Sequence, residues 1–210
     1  MNELKVLSYD LRKHVVDMII AGKGGHIGGD MSIMEILVEL YMKQMNISPE
    51  NKDLDNRDRF VLSKGHSVES YYAVLAKKGF FPMEEVISTF SQFGSKFIGH
   101  PNNKLPGIEM NSGSLGHGLP VCVGMAMAGK MDRKDYRVYV VMGDGELAEG
   151  SVWEGAMAAS HYCLDNLCAV VDRNRLQISG CTEDVMGHDD LHERFRSFGW
   201  HVIDVADGND

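Results

Sequence analysis

The sequence has few features of membrane or secreted proteins. Its 210 residues include 44% hydrophobic positions, yet no stretch approaches the roughly 18 uninterrupted apolar residues of a membrane helix. The N-terminal segment carries charges at Glu3, Asp10 and Arg12 and lacks the apolar core of a signal peptide. We therefore predict a cytoplasmic protein with no membrane contact.

Cysteine is scarce, and its arrangement does not indicate disulfides. The four cysteines contain no C-x-x-C pair. Three of them, Cys122, Cys163 and Cys168, lie in apolar runs, so we predict buried thiols in a reducing compartment.

Positive charge is in deficit as well. The 21 lysines and arginines face 30 acidic residues, for a formal net charge of −9. This balance argues against nucleic-acid binding through a basic patch. Glycine, by contrast, is abundant at 23 residues, and its clusters mark the informative loops.

Alternating strand and helix patterns set the expected fold class. Apolar, mostly β-branched runs predict strands at 59–63, 137–142, 167–172 and 201–205. The runs at 137–142 and 167–172 are unbroken, which is typical of strands buried on both faces. We therefore predict an α/β fold, a parallel sheet with helices on both faces, in a single domain spanning residues 1–210.

Amphipathic or small-residue patterns predict the helices. The predicted ranges are 3–21, 33–45, 67–78, 81–93, 119–131, a segment ending near 161, and 191–200. Ser32 and Glu35 have the spacing of a capping box for the second helix. The long irregular stretch 94–118 between helices is typical of a functional loop.

A polar turn follows the strand at 137–142 directly. Ligands of open parallel sheets bind at the carboxyl ends of strands, and here the strand enters Gly143-Asp144-Gly145-Glu146. The glycines allow close backbone approach, and the helix start that follows suits a phosphate. A phosphate facing a carboxylate requires a cation, and Mg²⁺ accepts such oxygen ligands.

The next strand supplies a second polar group at the same edge. Asn174 follows it, thirty residues after Asp144, and the carbonyl of Leu176 is a candidate third ligand. Alone, the G-D-G turn also fits a tight turn with a helix-capping aspartate. The asparagine at the end of the neighbouring strand favours the metal site.

The two segments that carry this pairing, together with four further motifs, resemble transketolases. The motifs, quoted as they stand, are GHIGG (25–29), DRFVLSKGH (58–66), GHP (99–101), MNSGSLGHGLPVCVGMA (110–126), GDGELAEG (143–150) and DRNRLQISG (172–180). The resemblance covers essentially the whole chain in the same order. It implies a thiamine-diphosphate-binding fold and the cofactors thiamine diphosphate and Mg²⁺, or another divalent cation such as Ca²⁺ or Mn²⁺.

The resemblance also implies roles for individual residues. The implied catalytic residues are His26, His66 and His100. The implied cofactor-binding residues are His66, Gly113, Ser114, Leu115, Asp144, Gly145, Glu146 and Asn174. The implied metal ligands are Asp144, Asn174 and the backbone of Leu176. The implied dimer-interface carboxylates are Glu149 and Glu154. Imidazoles suit this chemistry because they exchange protons with sugar hydroxyls near neutral pH.

Two positions depart from the usual family pattern. Ile27 replaces a proline that stiffens the loop in GHPGG, and Asn209 stands where a histidine is common. The family's cofactor domain also runs further than residue 210, and its pyrimidine-binding domain is absent here.

These absences imply a partner. The expectation is the N-terminal subunit of a split enzyme that transfers a two-carbon ketol unit between sugar phosphates, completed by a C-terminal pyrimidine-domain subunit. Homodimer contacts or a heterotetramer are expected. The alternatives are a non-catalytic or truncated thiamine-diphosphate-binding module, and a related thiamine enzyme such as a deoxyxylulose-phosphate synthase.

Overall fold

The computed structural model describes residues 3–188 and 190–209. The chain divides into two compact units. We call the first the helical unit (Met1–Asp58, Gly65–Gly113 and Asp207–Asp210) and the second the sheet unit (Arg59–Lys64 and Ser114–Ala206). Among the described residues, no helix is both long and apolar enough to cross a membrane.

The described part of the helical unit is built on four helices. They are α1 (Glu3–Gly22), α2 (Ile27–Glu39), α3 (Val68–Lys78) and α4 (Met83–Thr89). The predicted apolar stripe of α1 is confirmed, because Leu11, Val15 and Met18 are fully buried where α1 packs on α2 and α3. Burying each such side chain contributes about 1.5–3 kcal/mol.

The predicted start of α2 is wrong. The helix begins at Ile27, so Ser32 lies inside it and does not cap it. Long-range contacts override the local capping signal: Asp30 Oδ1 accepts the Ser70 N–H (2.8 Å). Glu35 is taken by the Arg12 guanidinium instead. The segment Leu40–Gln44 continues the helix with π geometry.

Helix α4 is shorter than predicted. Pro82 is its N-cap, and the chain leaves the helix at Phe90, since Ser91 adopts a left-handed backbone (φ +56°). The predicted irregular stretch 94–118 has no helix or strand before α5 begins at Gly118.

The sheet unit contains a parallel three-stranded sheet in the order β1-β2-β3. Its strands are β1 (Arg59–Leu62), β2 (Val138–Gly143) and β3 (Leu167–Asp172). The α/β fold class is thereby confirmed. The unbroken run of β2 lies at the centre of the sheet, and its residues up to Met142 are buried.

Further helices and a small hairpin complete the sheet unit. They are α5 (Gly118–Met131), α6 (Gly150–His161), α7 (Thr182–Met186), α8 (Leu191–Ser197), and the antiparallel pair β4 (Leu176–Gln177) and β5 (Gly180–Cys181). Gly155 permits close packing of α6 on α5, because a Cβ there would lie 3.2 Å from the Pro120 nitrogen. The hairpin and α7 were not predicted.

Three predictions about the sheet unit are wrong. Residues 201–205 form no strand: Ile203 and Val205 are 74% and 72% exposed, and no described strand pairs with them. The strand β3 is only half-buried, because it is an edge of the sheet. Cys168 on this edge and Cys163 in the turn after α6 are therefore exposed, whereas Cys122 is buried as predicted.

Candidate active site

The carboxyl end of β2 fixes the carboxylate of Asp144. This residue is 2% exposed. Its Oδ1 accepts the Gly145 N–H (3.0 Å), and its Oδ2 accepts the Arg175 N–H (2.9 Å) and the Thr182 hydroxyl (3.2 Å). A carboxylate has about four lone-pair positions, so one at Oδ1 stays available. The local sequence thus holds a negative oxygen in one orientation at the sheet edge.

The register of the sheet puts Asn174 at the same edge. Gly143 pairs with Asp172, so the residues that follow the two strands emerge side by side. Asn174 Oδ1 accepts the Leu176 N–H (3.0 Å), which stabilises the turn after β3. The three predicted metal ligands therefore share one end of the parallel sheet.

Gln177 is a polar neighbour that the sequence motifs did not reveal. A Cβ added at Gly145 would lie 3.1 Å from Gln177 Oε1, so this side chain borders the G-D-G turn. Its Oε1 is buried and has no hydrogen-bond partner among the described residues. The only signal in the sequence is its position directly after Leu176.

This donor set fits a hard divalent cation bound together with a diphosphate. Within residues 3–188 and 190–209, no group of three or more histidine, cysteine or acidic side chains could hold a metal. One carboxylate, one amide oxygen and one backbone carbonyl leave positions for phosphate oxygens, which is how Mg²⁺ is commonly held.

The Glu146 carboxylate, close to the end of β2, accepts hydrogen bonds from three chain segments. Its Oε1 accepts the Gly116 N–H (2.8 Å) and the Ser63 hydroxyl, and its Oε2 accepts the Gly143 N–H (3.1 Å). Burial raises the pKa of the Glu146 carboxyl, and these hydrogen bonds oppose the rise. The carboxylate thereby positions the backbone of the loop that contains Ser114 and Leu115, which are exposed and half-buried.

A buried ion pair lies at the ends of the two outer strands. Lys64 Nζ is 2.6 Å from Asp172 Oδ2, and both side chains are almost fully buried. Asp172 also accepts the Asp144 N–H through its carbonyl (3.3 Å). The pair therefore holds the strand end from which the predicted ligand Asn174 extends.

The three predicted histidines meet in the helical unit. The His26 ring centroid lies 5.5 Å from that of His66 and 6.1 Å from that of His100. His26 is exposed, and the other two are half-buried. Burial, followed by the charge of His26, lowers the pKa of His100. A neutral imidazole both donates and accepts a hydrogen bond.

Two glycines allow this cluster to form. A Cβ at Gly65 would lie 2.8 Å from the Gly113 nitrogen, and a Cβ at Gly113 would lie 2.6 Å from His100 Cδ2. Gly113 also has φ +140°, which side-chain-bearing residues rarely adopt. The loop backbone is therefore packed between Gly65 and the His100 ring.

Replacing Gly113 by alanine is expected to lower the free energy of unfolding by about 1–3 kcal/mol, from backbone strain and the clash with His100. Chemical denaturation measures this change. Gly124→Ala is the matched control, since nothing lies within 4 Å of a Cβ there and a helical glycine-to-alanine change stabilises. Equal stability of the two variants would contradict the packing argument.

Other residues singled out by the sequence lie on the surface. Glu149 and Glu154 are exposed. The predicted site residues thus fall into two groups, one of histidines in the helical unit and one of oxygen ligands in the sheet unit.

Comparison with known proteins identifies the family. The profile described as "Transketolase, thiamine diphosphate binding domain" matches residues 5–210. The chain belongs to the transketolase family. Among its relatives in this family, an apulose-4-phosphate transketolase subunit from Phocaeicola vulgatus is 52% identical over 202 residues, which are 96% of this chain and 72% of that protein.

Other transketolases are similar in sequence and structure. A 6-deoxy-6-sulfo-D-fructose transketolase subunit from a Clostridium species is 43% identical over 186 residues, covering 88% of this chain and 67% of that protein. The solved transketolase from Leishmania mexicana superposes with a TM-score of 0.90 at 31% identity. All of this chain corresponds to 33% of the Leishmania transketolase chain.

The two departures from the transketolase pattern have defined surroundings. Ile27 opens α2, directly after His26. Asn209 donates through Nδ2 to the Ser32 carbonyl (3.2 Å) and to Glu35 Oε2 (2.8 Å). Asn209 thus binds to the α2 residues whose capping-box role was predicted and not observed.

Proposed function

We propose that this chain is the thiamine diphosphate-binding subunit of a transketolase-type enzyme that transfers a two-carbon ketol unit from a ketose to an aldose. The observation that carries the proposal is the fixed Asp144 carboxylate beside Asn174 at the ends of adjacent parallel strands. Asp144, Asn174 and the Leu176 carbonyl would bind Mg²⁺ and thereby the diphosphate. Gly145 and Gln177 would border the phosphate oxygens.

The bound cofactor supplies a nucleophilic carbon and an electron sink for cleavage of the ketose. The histidines would carry out the steps that involve the sugar hydroxyls. The reaction requires groups that bind and orient the sugar hydroxyls and that remove or donate protons at them. An imidazole can do each of these. His26, His66 and His100 have this role in the proposal. The lowered pKa of His100 keeps it neutral and able to accept a proton.

The names of the relatives support a substrate class and a partner. One relative is named for apulose 4-phosphate and another for 6-deoxy-6-sulfo-D-fructose; both names describe sugars with an anionic group. We therefore assign an anionic ketose as donor. The same relatives are named as subunits, which supports a separate partner subunit. In the proposal this partner is the pyrimidine-binding chain, and the assembly contains two copies of each chain.

Calorimetric titration tests this function directly. Thiamine diphosphate with Mg²⁺ is titrated into this chain alone and then into the chain with a pyrimidine-domain subunit, and ketol transfer is assayed on the same samples. Tight binding and turnover only in the pair are expected. Absence of binding in both samples would refute the proposal in favour of a non-catalytic module.

The His66→Ala variant is expected to preserve the fold and to lower kcat of the assembled enzyme at least about 100-fold, the usual contribution of a positioned acid or base. Steady-state kinetics measure the loss. His201→Ala is the matched control, because His201 is exposed and outside the histidine cluster. Wild-type turnover in His66→Ala would remove His66 from the catalytic residues.

A further inference from the structure

Two carboxyl groups are completely buried beneath the histidine cluster. Asp30 on α2 and Glu69 on α3 are both 0% exposed. Asp30 Oδ1 accepts the Ser70 N–H (2.8 Å), and Glu69 Oε1 accepts the His26 N–H (3.3 Å). Their other oxygens, Asp30 Oδ2 and Glu69 Oε2, are buried and receive no donor from another described residue. The Glu69 carboxyl acts on the Asp30 carboxyl both through its charge and as a hydrogen-bond partner, and both effects raise the pKa of Asp30.

A single proton held between the two carboxyl groups stabilises this arrangement. Two ionised carboxylates side by side in a dry interior repel strongly, so such pairs hold one proton between them. A protonated Asp30 donates a hydrogen bond to Glu69, which removes the repulsion between the two groups. The pair then carries a single negative charge, and the peptide N–H groups of Ser70 and His26 solvate it.

The Glu69 carboxylate of this pair contacts the backbone of the segment that carries His26. A Cβ at Gly25 would lie only 2.3 Å from Glu69 Oε1 and 2.7 Å from Ile19 Cγ1, so the backbone rests directly on the carboxylate. The first turn of α2 starts at Ile27. Ile27 lacks the fixed φ of proline, so the buried carboxyl pair supplies rigidity that the local sequence does not.

We propose that Asp30 and Glu69 share one proton and act as a positioning pair that holds Gly25 and His26, and thereby the His26 imidazole, against His66 and His100. This proposal rests on the proposed function in one respect, which is that His26 acts on the substrate. Both carboxyl groups are fully buried, so the pair acts through His26, and its geometry is a property of the helical unit alone.

The charges around the pair set its pH dependence. Burial first, and then the charge of Glu69, raise the pKa of Asp30 to about 8, against the hydrogen bonds from Ser70. The charge of Glu69 also acts on His100 and Tyr72: it adds to the raised pKa of Tyr72 and partly opposes the lowered pKa of His100. A protonated His100 would therefore oppose the rise at Asp30, but burial lowers the pKa of His100.

The raised pKa of Asp30 makes the stability of the folded chain depend on pH. The folded chain keeps a proton at Asp30 that the unfolded chain releases near its ordinary pKa of 3.8. The contribution is therefore complete below about pH 4 and is lost as the pH rises toward 8. The folding equilibrium constant is expected to fall by up to tenfold per pH unit in this window.

Nuclear magnetic resonance of the full chain, without cofactor or partner, tests the proposal. Glu69→Ala is expected to shift the His26 imidazole resonances and to speed exchange of the His26 amide at least tenfold. Glu69→Gln is expected to preserve both, because its carbonyl accepts the His26 N–H and its amide donates to Asp30. Unchanged His26 signals in Glu69→Ala would overturn the proposal.

The Asp30→Asn variant provides a second test, which remains informative even if Glu69→Ala does not fold. Its amide mimics a permanently protonated Asp30, so the stability is expected to lose the fall that the wild type shows between about pH 4 and 8, and the His26 amide resonance is expected to lose its titration near pH 8. The same pH profile in variant and wild type would overturn the shared proton. Neither readout requires ketol transfer, so failure of the proposed function leaves this test intact.

Discussion

Replacing Asp144 by alanine is expected to abolish metal-dependent retention of thiamine diphosphate by the assembled enzyme. The affinity should fall at least about 100-fold, more than the roughly 10–100-fold loss typical of residues that only support a metal ligand. The reason is that the diphosphate would then face the sheet edge without the carboxylate that draws a divalent cation to it. Calorimetric titration with Mg²⁺ measures the loss.

A control separates the ligand from its support. Thr182→Val removes one hydrogen bond to Asp144 Oδ2 and leaves the carboxylate in place, at a buried position where the two side chains have similar shape. Its loss of affinity should stay below about tenfold, as expected for one hydrogen bond. Wild-type affinity in Asp144→Ala would exclude Asp144 as a metal ligand.

Replacing Lys64 by methionine is expected to lower the free energy of unfolding by about 3–5 kcal/mol, because it leaves the buried Asp172 carboxylate without its cation. The ion pair has 1% and 7% exposed side chains, so water cannot replace the lost partner. Chemical denaturation of the full chain measures the change.

The double variant Lys64→Met/Asp172→Leu shows whether the loss comes from the unpaired charge. Removing both charges is expected to recover most of the stability, since a buried pair contributes little beyond an apolar replacement. The double-mutant cycle then gives a large coupling energy. A single variant within about 1 kcal/mol of wild type would contradict the importance of the pair.

Local sequence patterns predicted the elements that depend on short-range information. The unbroken run of β2 and the apolar stripe of α1 were predicted because burial alone dictates their periods. Residues 201–205 have the same composition as a strand, but a strand also requires a neighbour to pair with. The start of α2 was predicted wrongly because Glu35 binds Arg12, 23 residues away, and that contact leaves no local signal.

The candidate site divides in the same way. The edge that carries Asp144 and Asn174 follows from strand order, and the motifs of the family resemblance located the histidines. The resemblance implied cofactor binding for Glu146, but its hydrogen bonds to the Gly116 and Gly143 backbone and the Asp30–Glu69 pair could not be predicted, because a carboxylate in a loop or helix ordinarily indicates a solvated surface. Only the packed chain shows that these three side chains are buried and what they bind.

The bond from Ser63 to Glu146 joins residues 83 positions apart, and the bond from Lys64 to Asp172 joins residues 108 apart. Contacts of such separation require closure of long loops before they stabilise anything, which slows folding. Helices α1 to α4 of the helical unit precede β2 and β3 along the chain, so they can gain structure first. The strand ends that carry Asp144 and Asn174 are therefore expected to assemble late, so that a nascent chain would bring its three clustered histidines together before its proposed cofactor-binding edge.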